Sequence, residues 1–409
     1  MPRTALSFLG TGNYGTTTYL WNEASCETRF MPVALETFFE PDELLVAVTP
    51  AAQAKHGAAL QEVCTYRPVQ VPKATEESAW WRMFNALAEA VPDGTTLLVD
   101  ITHGFRSQPF LSLAVVLYLR VVKDVTVERI VYGAYEAGDD GTSPVVDLTS
   151  FLNLIDWTIA TEQFQEYGDA APLKDMFRAI ADESRKGNRV ALNLRPAGDV
   201  LQKLTRALAL NRPIETIETA EGLIDVLEAA MRDAVNVPEA RPIKRLMLPV
   251  ARRFAPLGQA GGSVFAQRGF AAQAAMLRFY VETGQYLQAF TLAQEMLVSW
   301  VCVREGYDPL VRGSGGASPE DYTGREGARA LLFDWSEART DRQNGNATGL
   351  WQKRTAAEQR AVGLWDDLRD QRNDVAHAGF SHNPTPAKTL VDAAESTLQE
   401  VAHFLDPTA

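Results

Sequence analysis

The 409-residue chain has only three cysteines, Cys26, Cys64 and Cys302, and they lie far apart. They form no CxxC pair and no zinc-ligand spacing, which excludes a disulfide framework or a structural zinc as the organising device. Three reduced thiols in a cytoplasm are the expected state. Long hydrophobic runs are also missing. A spanning helix needs roughly 18 or more uninterrupted apolar residues, and the sequence has no such stretch. The opening MPRTALSFLG carries an apolar run too short for a signal peptide, so the expected location is cytoplasmic, with no membrane partner. Positive charge is in deficit, with 39 Lys and Arg against 52 Asp and Glu and a net charge of −13. A surface coated with nucleic acid is therefore excluded, because phosphate neutralisation needs clustered cations. A local basic pocket is not excluded. No internal repeat stands out.

The chain is longer than one hydrophobic core usually serves, which predicts two or three domains. Up to residue 150, short apolar runs alternate with stretches of helical spacing. ALSFLG, LLVAV (44–48), YRPVQVP (66–72), TTLLVDI (95–101), VERIVYGAY (127–135) and VVDL (145–148) read as strands. AAQAKHGAALQEV, ESAWWRMFNALAEAV and FLSLAVVLYLRVVK read as the helices between them. Buried-type strands separated by helices predict a parallel, doubly wound α/β sheet. Past Phe151 the strand signal vanishes and amphipathic helices follow to the end. APLGQAGGSV (255–264) is a Gly-rich break. Beyond it, FAAQAAMLRFYVETG and YLQAFTLAQEMLVSWVCV, separated by Gly284, predict an antiparallel helix pair. The expected class is α/β plus all-α, with boundaries 1–150, 151–255 and 256–409.

The first candidate site is SFLGTGNYGTTTYLW. Gly10, Gly12 and Gly15 spell GxGxxG, and glycines let backbone N–H groups approach a phosphate closely. Glu36 lies about twenty residues on, where a ribose-binding acid sits in the dinucleotide motif. A nicotinamide-dinucleotide enzyme is thus one reading. The residues after Gly15 oppose it, since TTTYLW is β-branched and aromatic, a poor helix start and a good strand. Strand–turn–strand follows, either as a plain glycine-rich hairpin or as a turn whose amides, with Thr11, Asn13 and Tyr14, face a ligand at the carboxyl edge of the sheet.

The second candidate is VDITHGFRSQPF, which follows a strand and opens a helix. Asp100, Thr102, His103, Gly104 and Arg106 crowd this junction. Amides and a helix N-terminus supply partial positive charge, and Arg106 supplies a whole one, which suits an anionic ligand. Polar groups merely capping the helix are the alternative.

The third candidate is RDQRNDVAHAGF near the chain end. Ala361, Trp365, Leu368 and Val375 form an apolar stripe, and Arg372 sits on it. A guanidinium on a core-facing stripe needs a partner or an interface. Asn373 and His377 are four apart and share a face. Arg372 and His377 are five apart, about 140° around a regular helix. They converge only if the helix ends near Gly379 or a second chain contributes. A helical dimerisation surface without activity is the alternative.

The Asp-x-Thr-His-Gly sequence at 100–104 resembles the motif that names a family of CRISPR-associated proteins of type III systems, and SFLGTGNYGTTTY resembles the start of that family. The resemblance covers about the first 150 residues. It implies a Rossmann-like CARF domain that senses cyclic oligoadenylate, cyclic tetra-adenylate foremost, with Gly10, Thr11, Gly12, Asn13 and Tyr14 on one wall. Thr102, His103, Gly104 and Arg106 would line the other wall, with Tyr135 a weaker contributor. It also implies a homodimer, or a higher oligomer of dimers, with the ligand on a two-fold axis. Residues 151–255 become a helical linker and 256–409 a HEPN ribonuclease domain, since Arg372, Asn373 and His377 resemble the catalytic motif of HEPN ribonucleases. The implied activity is metal-independent cleavage of single-stranded RNA, without a cofactor, leaving 2′,3′-cyclic phosphate ends. The remaining alternative is a sensor whose helices bind a partner without catalysis.

Overall fold

The computed structural model describes all residues except 74–75, 105–107, 136–137, 139–140, 187–190, 238–239, 346–348, 350, 378, 381–383 and 407–409. The chain divides into two compact units, Met1–Ile155 and Asp156–Ala409. Among the described residues, no helix is long and apolar enough to cross a membrane.

The first unit is built on an eight-stranded sheet. In chain order its elements are β1 (Arg3–Leu9), β2 (Thr17–Trp21), β3 (Ala24–Thr28), α1 (Met31–Phe39), β4 (Glu43–Val48) and α2 (Pro50–Gln61). Then come β5 (Arg67–Gln70), α3 (Glu77–Ala90), β6 (Thr96–Asp100), α4 (Gln108–Val122), β7 (Thr126–Gly133) and β8 (Thr142–Asp147). The spatial order is β3-β2-β8-β7-β6-β1-β4-β5. β1 pairs in parallel with β4 on one side and β6 on the other, and β5 and β7 extend the parallel block outward. The expected sheet is therefore present, with one addition. β8 runs antiparallel to β7, and the β2–β3 hairpin, its own strands antiparallel, extends the sheet beyond it with β2 parallel to β8.

Burial on both faces explains the unbroken apolar runs. Along β1, side chains alternate between faces. Leu6 and Phe8 join a core with Leu45, Leu97 and Val99 under α3 and α4. Ala5 and Leu9 join another with Val46 and Leu98 under α1 and α2. α2 starts where Pro50 follows Thr49, whose hydroxyl accepts from Ala52 N–H at 3.2 Å, so a fixed φ and a side-chain cap coincide.

The second unit is all helical. α5 (Ser150–Tyr167) carries the chain into it. α6 (Ala171–Lys186), α7 (Leu194–Ala209), α8 (Pro213–Glu221), α9 (Leu223–Ala234) and α10 (Ile243–Phe254) follow. α11 (Gln267–Glu282), α12 (Tyr286–Glu305), α13 (Gly324–Gln343), α14 (Ala356–Ala376) and α15 (Ala387–Leu405) complete it. The sequence reading singled out neither α6 nor α13, although α6 buries Leu173, Phe177 and Ala181 at helical spacing. The expected pair about Gly284 is present as α11 and α12, with Gly284 at φ 68°. Phe177, Leu201 and Phe254 from the stretch expected as a linker share one core with Tyr280, Phe290, Met296, Trp365 and Leu398. α12 buries residues on nearly every side, from Ala289 and Phe290 to Val301 and Cys302, and packs against α11, α13, α14 and α15. A helix apolar all round belongs at the centre.

Candidate functional sites

After β1 the chain lays the β2–β3 hairpin at the far edge, then builds β4 and β5 on one side of β1 and returns to lay β6 and β7 on the other. In open α/β sheets such a reversal opens a crevice beyond the carboxyl ends of the two diverging strands. The loops leaving β1 and β6 are residues 10–14 and 102–104, the first two candidates. Sequence predicted both segments, and strand pairing places their strands side by side.

Asp100 anchors the crevice. It is fully buried at the end of β6. Its Oδ2 accepts from Ser7 Oγ of β1 at 2.5 Å. Its Oδ1 accepts from Thr102 N–H at 2.9 Å and Thr102 Oγ1 at 2.5 Å. Thr102 Oγ1 in turn accepts from Gly133 N–H of β7 at 2.8 Å. One carboxylate thus ties three adjacent strands together, which accounts for the Asp-x-Thr spacing. Burial pushes the Asp100 carboxyl up to about 6, against the downward pull of the Ser7 and Thr102 hydrogen bonds.

His103 is also committed. Its Nε2 accepts from Met31 N–H at 3.1 Å, at the start of α1. Burial first, and His56 second, hold the imidazole down at about 4, while a hydrogen bond with the Arg29 backbone opposes them. The ring is neutral at pH 7 and positions the loop. Tyr14 lies against it, with ring centroids 4.1 Å apart, and against His56 at 4.8 Å. A Cβ on Gly10 would stand 3.0 Å from His103 O and 3.1 Å from Tyr14 Oη, so glycine permits the close approach of the two loops. Thr11, Gly12 and Asn13 are exposed, whereas Gly10, Tyr14, Thr102, His103 and Gly104 are half-buried. Arg106 lies outside the described residues. Tyr135 is 54% exposed, and a Cβ on Gly15 would meet its hydroxyl at 2.7 Å.

Two further residues escaped the sequence reading. On α2, Lys55 Nζ donates to Thr11 O at 2.8 Å and Asn13 Oδ1 at 2.7 Å. The neighbouring His56 Nε2 is 2.8 Å from Gly12 O. α2 reaches the loop because β4, which precedes it, pairs with β1, and no local pattern announces that. Ser7 was findable, being the one hydroxyl in the apolar run ALSFLG, where a buried polar group needs a partner.

The third candidate has a different character. The stripe is present: Ala361, Trp365 and Leu368 are buried and Val375 is partly buried against the core. A capping box between Thr355 and Glu358 starts α14, with Thr355 N–H donating to Glu358 Oε2 at 2.6 Å and Glu358 N–H to Thr355 Oγ1 at 3.3 Å. Arg304 of α12 pairs with Glu358 at 3.1 Å. At the other end the helix stops at Ala376, so His377 is its C-cap and not part of its regular face. His377 N–H donates to Asn373 O at 3.0 Å, and Gly379, at φ 68°, donates to Asp374 O at 3.0 Å. The His377 and Asn373 side chains are exposed. Arg372 is half-buried; its Nη1 donates to Asn373 Oδ1 at 3.3 Å, while its buried Nε has no hydrogen-bond partner among the described residues. Among the described residues, no group of three or more His, Cys, Asp or Glu side chains is gathered to hold a metal ion.

The fold and its crevice define an α/β unit of doubly wound, parallel-rich topology followed by an all-helical unit. The chain matches no family model. It is similar to the CRISPR-associated protein MJ1674 of Methanocaldococcus jannaschii, with 30% identity over 112 residues, which are 26% of this chain and 18% of that protein. The match thus spans under a fifth of the relative's length, and over that stretch the similarity is to a CRISPR-associated protein, as the sequence motifs indicate. Among solved structures, Enterococcus italicus Csm6 bound to cyclic hexa-2′-fluoro-hexa-dAMP aligns over 100% of this chain and 95% of its own at 11% identity, with a TM-score of 0.43.

Proposed function

We propose that the protein is a cyclic-oligoadenylate-activated, metal-independent endoribonuclease of type III CRISPR defence, with residues 1–150 as the sensor and the C-terminal helices as the nuclease. The observation that carries the sensor reading is the pair of loops at the switch point of the sheet, held together by Asp100, with the exposed segment Thr11–Asn13 beside the Lys55 ammonium. Backbone amides and one cation suit a phosphodiester. A dinucleotide coenzyme is disfavoured, because β2 and not a helix follows Gly15.

The active form is a homodimer. α4 exposes Phe110 (80%), Tyr118, Val121 (84%) and Val122, and α3 adds Trp81. Several large apolar side chains exposed on neighbouring helices favour an interaction surface there. A cyclic ligand with repeated phosphates matches two identical loops about a two-fold axis. Ligand shifts the protein toward the cleaving form only by binding that form more tightly.

In the nuclease, the ribose 2′-hydroxyl attacks the adjacent phosphorus. His377 moves the proton, as a positioned imidazole does in general acid–base catalysis. Arg372 stabilises charge growing on the phosphoryl oxygens, and Asn373 holds Arg372. The leaving 5′-oxygen takes a proton, giving 2′,3′-cyclic phosphate and 5′-hydroxyl ends. The deciding experiment incubates labelled single-stranded RNA with protein, with and without cyclic tetra-adenylate. Cleavage that requires the ligand and disappears in His377→Ala supports the reading. Ligand binding without any cleavage supports the alternative, a sensor whose helices bind a partner.

A further inference from the structure

The tip of the N-terminal loop already has an occupant. Gly10 N–H, the first amide of the glycine turn, donates to Tyr14 Oη at 2.8 Å. The tyrosine ring is held against His103 and His56, and its edge meets Phe30. Its hydroxyl also makes a long hydrogen bond of 3.5 Å to His103 O. A neutral hydroxyl accepts from an amide only about half as strongly as a charged oxygen does. Nearby, Lys55 is exposed, and both its hydrogen bonds among the described residues go to the loop. An ammonium has three donors, so one is left unspent at the loop's open side.

We propose that Tyr14 is a built-in stand-in for a phosphate: its hydroxyl fills the Gly10 amide in the resting protein, and an incoming phosphate oxygen displaces it beside Lys55, a cation at the loop. The ligand's identity rests on the function proposed above; the displacement itself does not. Tyr14 and Lys55 then act on affinity with opposite signs. The tyrosine hydroxyl competes with the ligand, and the lysine recruits it. Displacement also frees the ring from Gly10, which couples occupancy of the loop to the His103 and His56 stack.

The test measures binding of cyclic tetra-adenylate and of inorganic pyrophosphate to the full-length protein and two variants. Tyr14→Phe keeps the ring and removes the competing hydroxyl. It is expected to bind about threefold to tenfold more tightly, the worth of one neutral hydrogen bond, and to speed hydrogen exchange of the Gly10 amide. Lys55→Met is expected to weaken binding and to flatten its salt dependence by about one phosphate contact. Where the wild type binds cyclic tetra-adenylate, unchanged or weaker binding by Tyr14→Phe overturns the proposal, because a hydroxyl that contacts ligand or merely shapes the loop gives that sign. A protein that ignores the cyclic ligand but binds pyrophosphate more tightly as Tyr14→Phe upholds displacement and removes the activator reading. Binding of neither probe overturns both.

Discussion

The two candidate sites differ in how much of their chemistry is already spent. In the N-terminal crevice nearly every polar group has a partner within the chain. Asp100 takes three hydrogen bonds, His103 receives one from α1, and Tyr14 covers Gly10. At the end of α14 the reverse holds. His377 and Asn373 face solvent, and the Arg372 Nε is buried without a hydrogen-bond partner among the described residues. A crevice whose parts are mutually satisfied is rigid before ligand arrives, and binds by exchanging one contact for a better one. A site with unspent groups needs something from outside, either substrate or a second copy of the chain.

The largest effect should come from the unspent site. His377→Ala should reduce ligand-dependent RNA cleavage by about a hundredfold or more, the usual contribution of a positioned proton carrier. Cyclic tetra-adenylate affinity and the urea midpoint should stay unchanged, since the side chain is exposed. A matching drop in affinity would break the contrast.

Asp100→Ala attacks the spent site. It takes the acceptor from the buried Ser7 hydroxyl and from the half-buried Thr102 N–H and hydroxyl, and losing such a partner costs about 1–3 kcal/mol per unsatisfied buried group. Urea unfolding should show a loss of about 3 kcal/mol or more, with RNA cleavage falling only as folded protein is lost or ligand binding fails.

The same carboxyl sharpens the comparison through pH. Its folded-state value of about 6 lies above its ordinary 3.8. Below pH 4 both states hold the proton and the contribution is complete. Between about 4 and 6 the unfolded chain loses its proton first, so stability falls as pH rises, then levels off. Relative to Asp100→Asn, the wild type should lose up to about 3 kcal/mol across that window, at about 1.4 kcal/mol per unit. Urea melts at several pH values would reveal it. A wild type that instead gains stability over this range would show the carboxylate ionised and held by its three donors.

The smallest effect concerns the frame of the C-terminal site. Thr355→Ala breaks the capping box of α14 and should cost about 1 kcal/mol, read as a modest fall in the urea midpoint. Cleavage at temperatures well below unfolding should persist, because the cap lies at the far end of the helix from His377.

Much of this was legible in the chain itself. The apolar runs of β1, β4 and β6 are continuous because both sheet faces are covered, and continuity is a local property of sequence. The β-branched residues after Gly15 fixed a strand there and thereby weighed against a dinucleotide loop. Helical spacing located α14 and put Arg372 on its buried stripe. The 140° separation of Arg372 and His377 was a real constraint, and the early stop of α14 at Ala376 removes His377 from the regular helix. The hairpin partner β3 was missed because ASCET is short and largely exposed.

What the sequence determined by itself is most of the elements and the two candidate loops of the sheet, since propensity, periodicity and turn chemistry act over a few neighbouring residues. Only the tertiary structure decided which atoms those loops spend on each other. Ser7 meets Asp100 across 93 positions, Lys55 meets Asn13 across 42, and His103 meets Met31 across 72. Such partners are chosen by strand order and register, and those follow from burying two sheet faces at once.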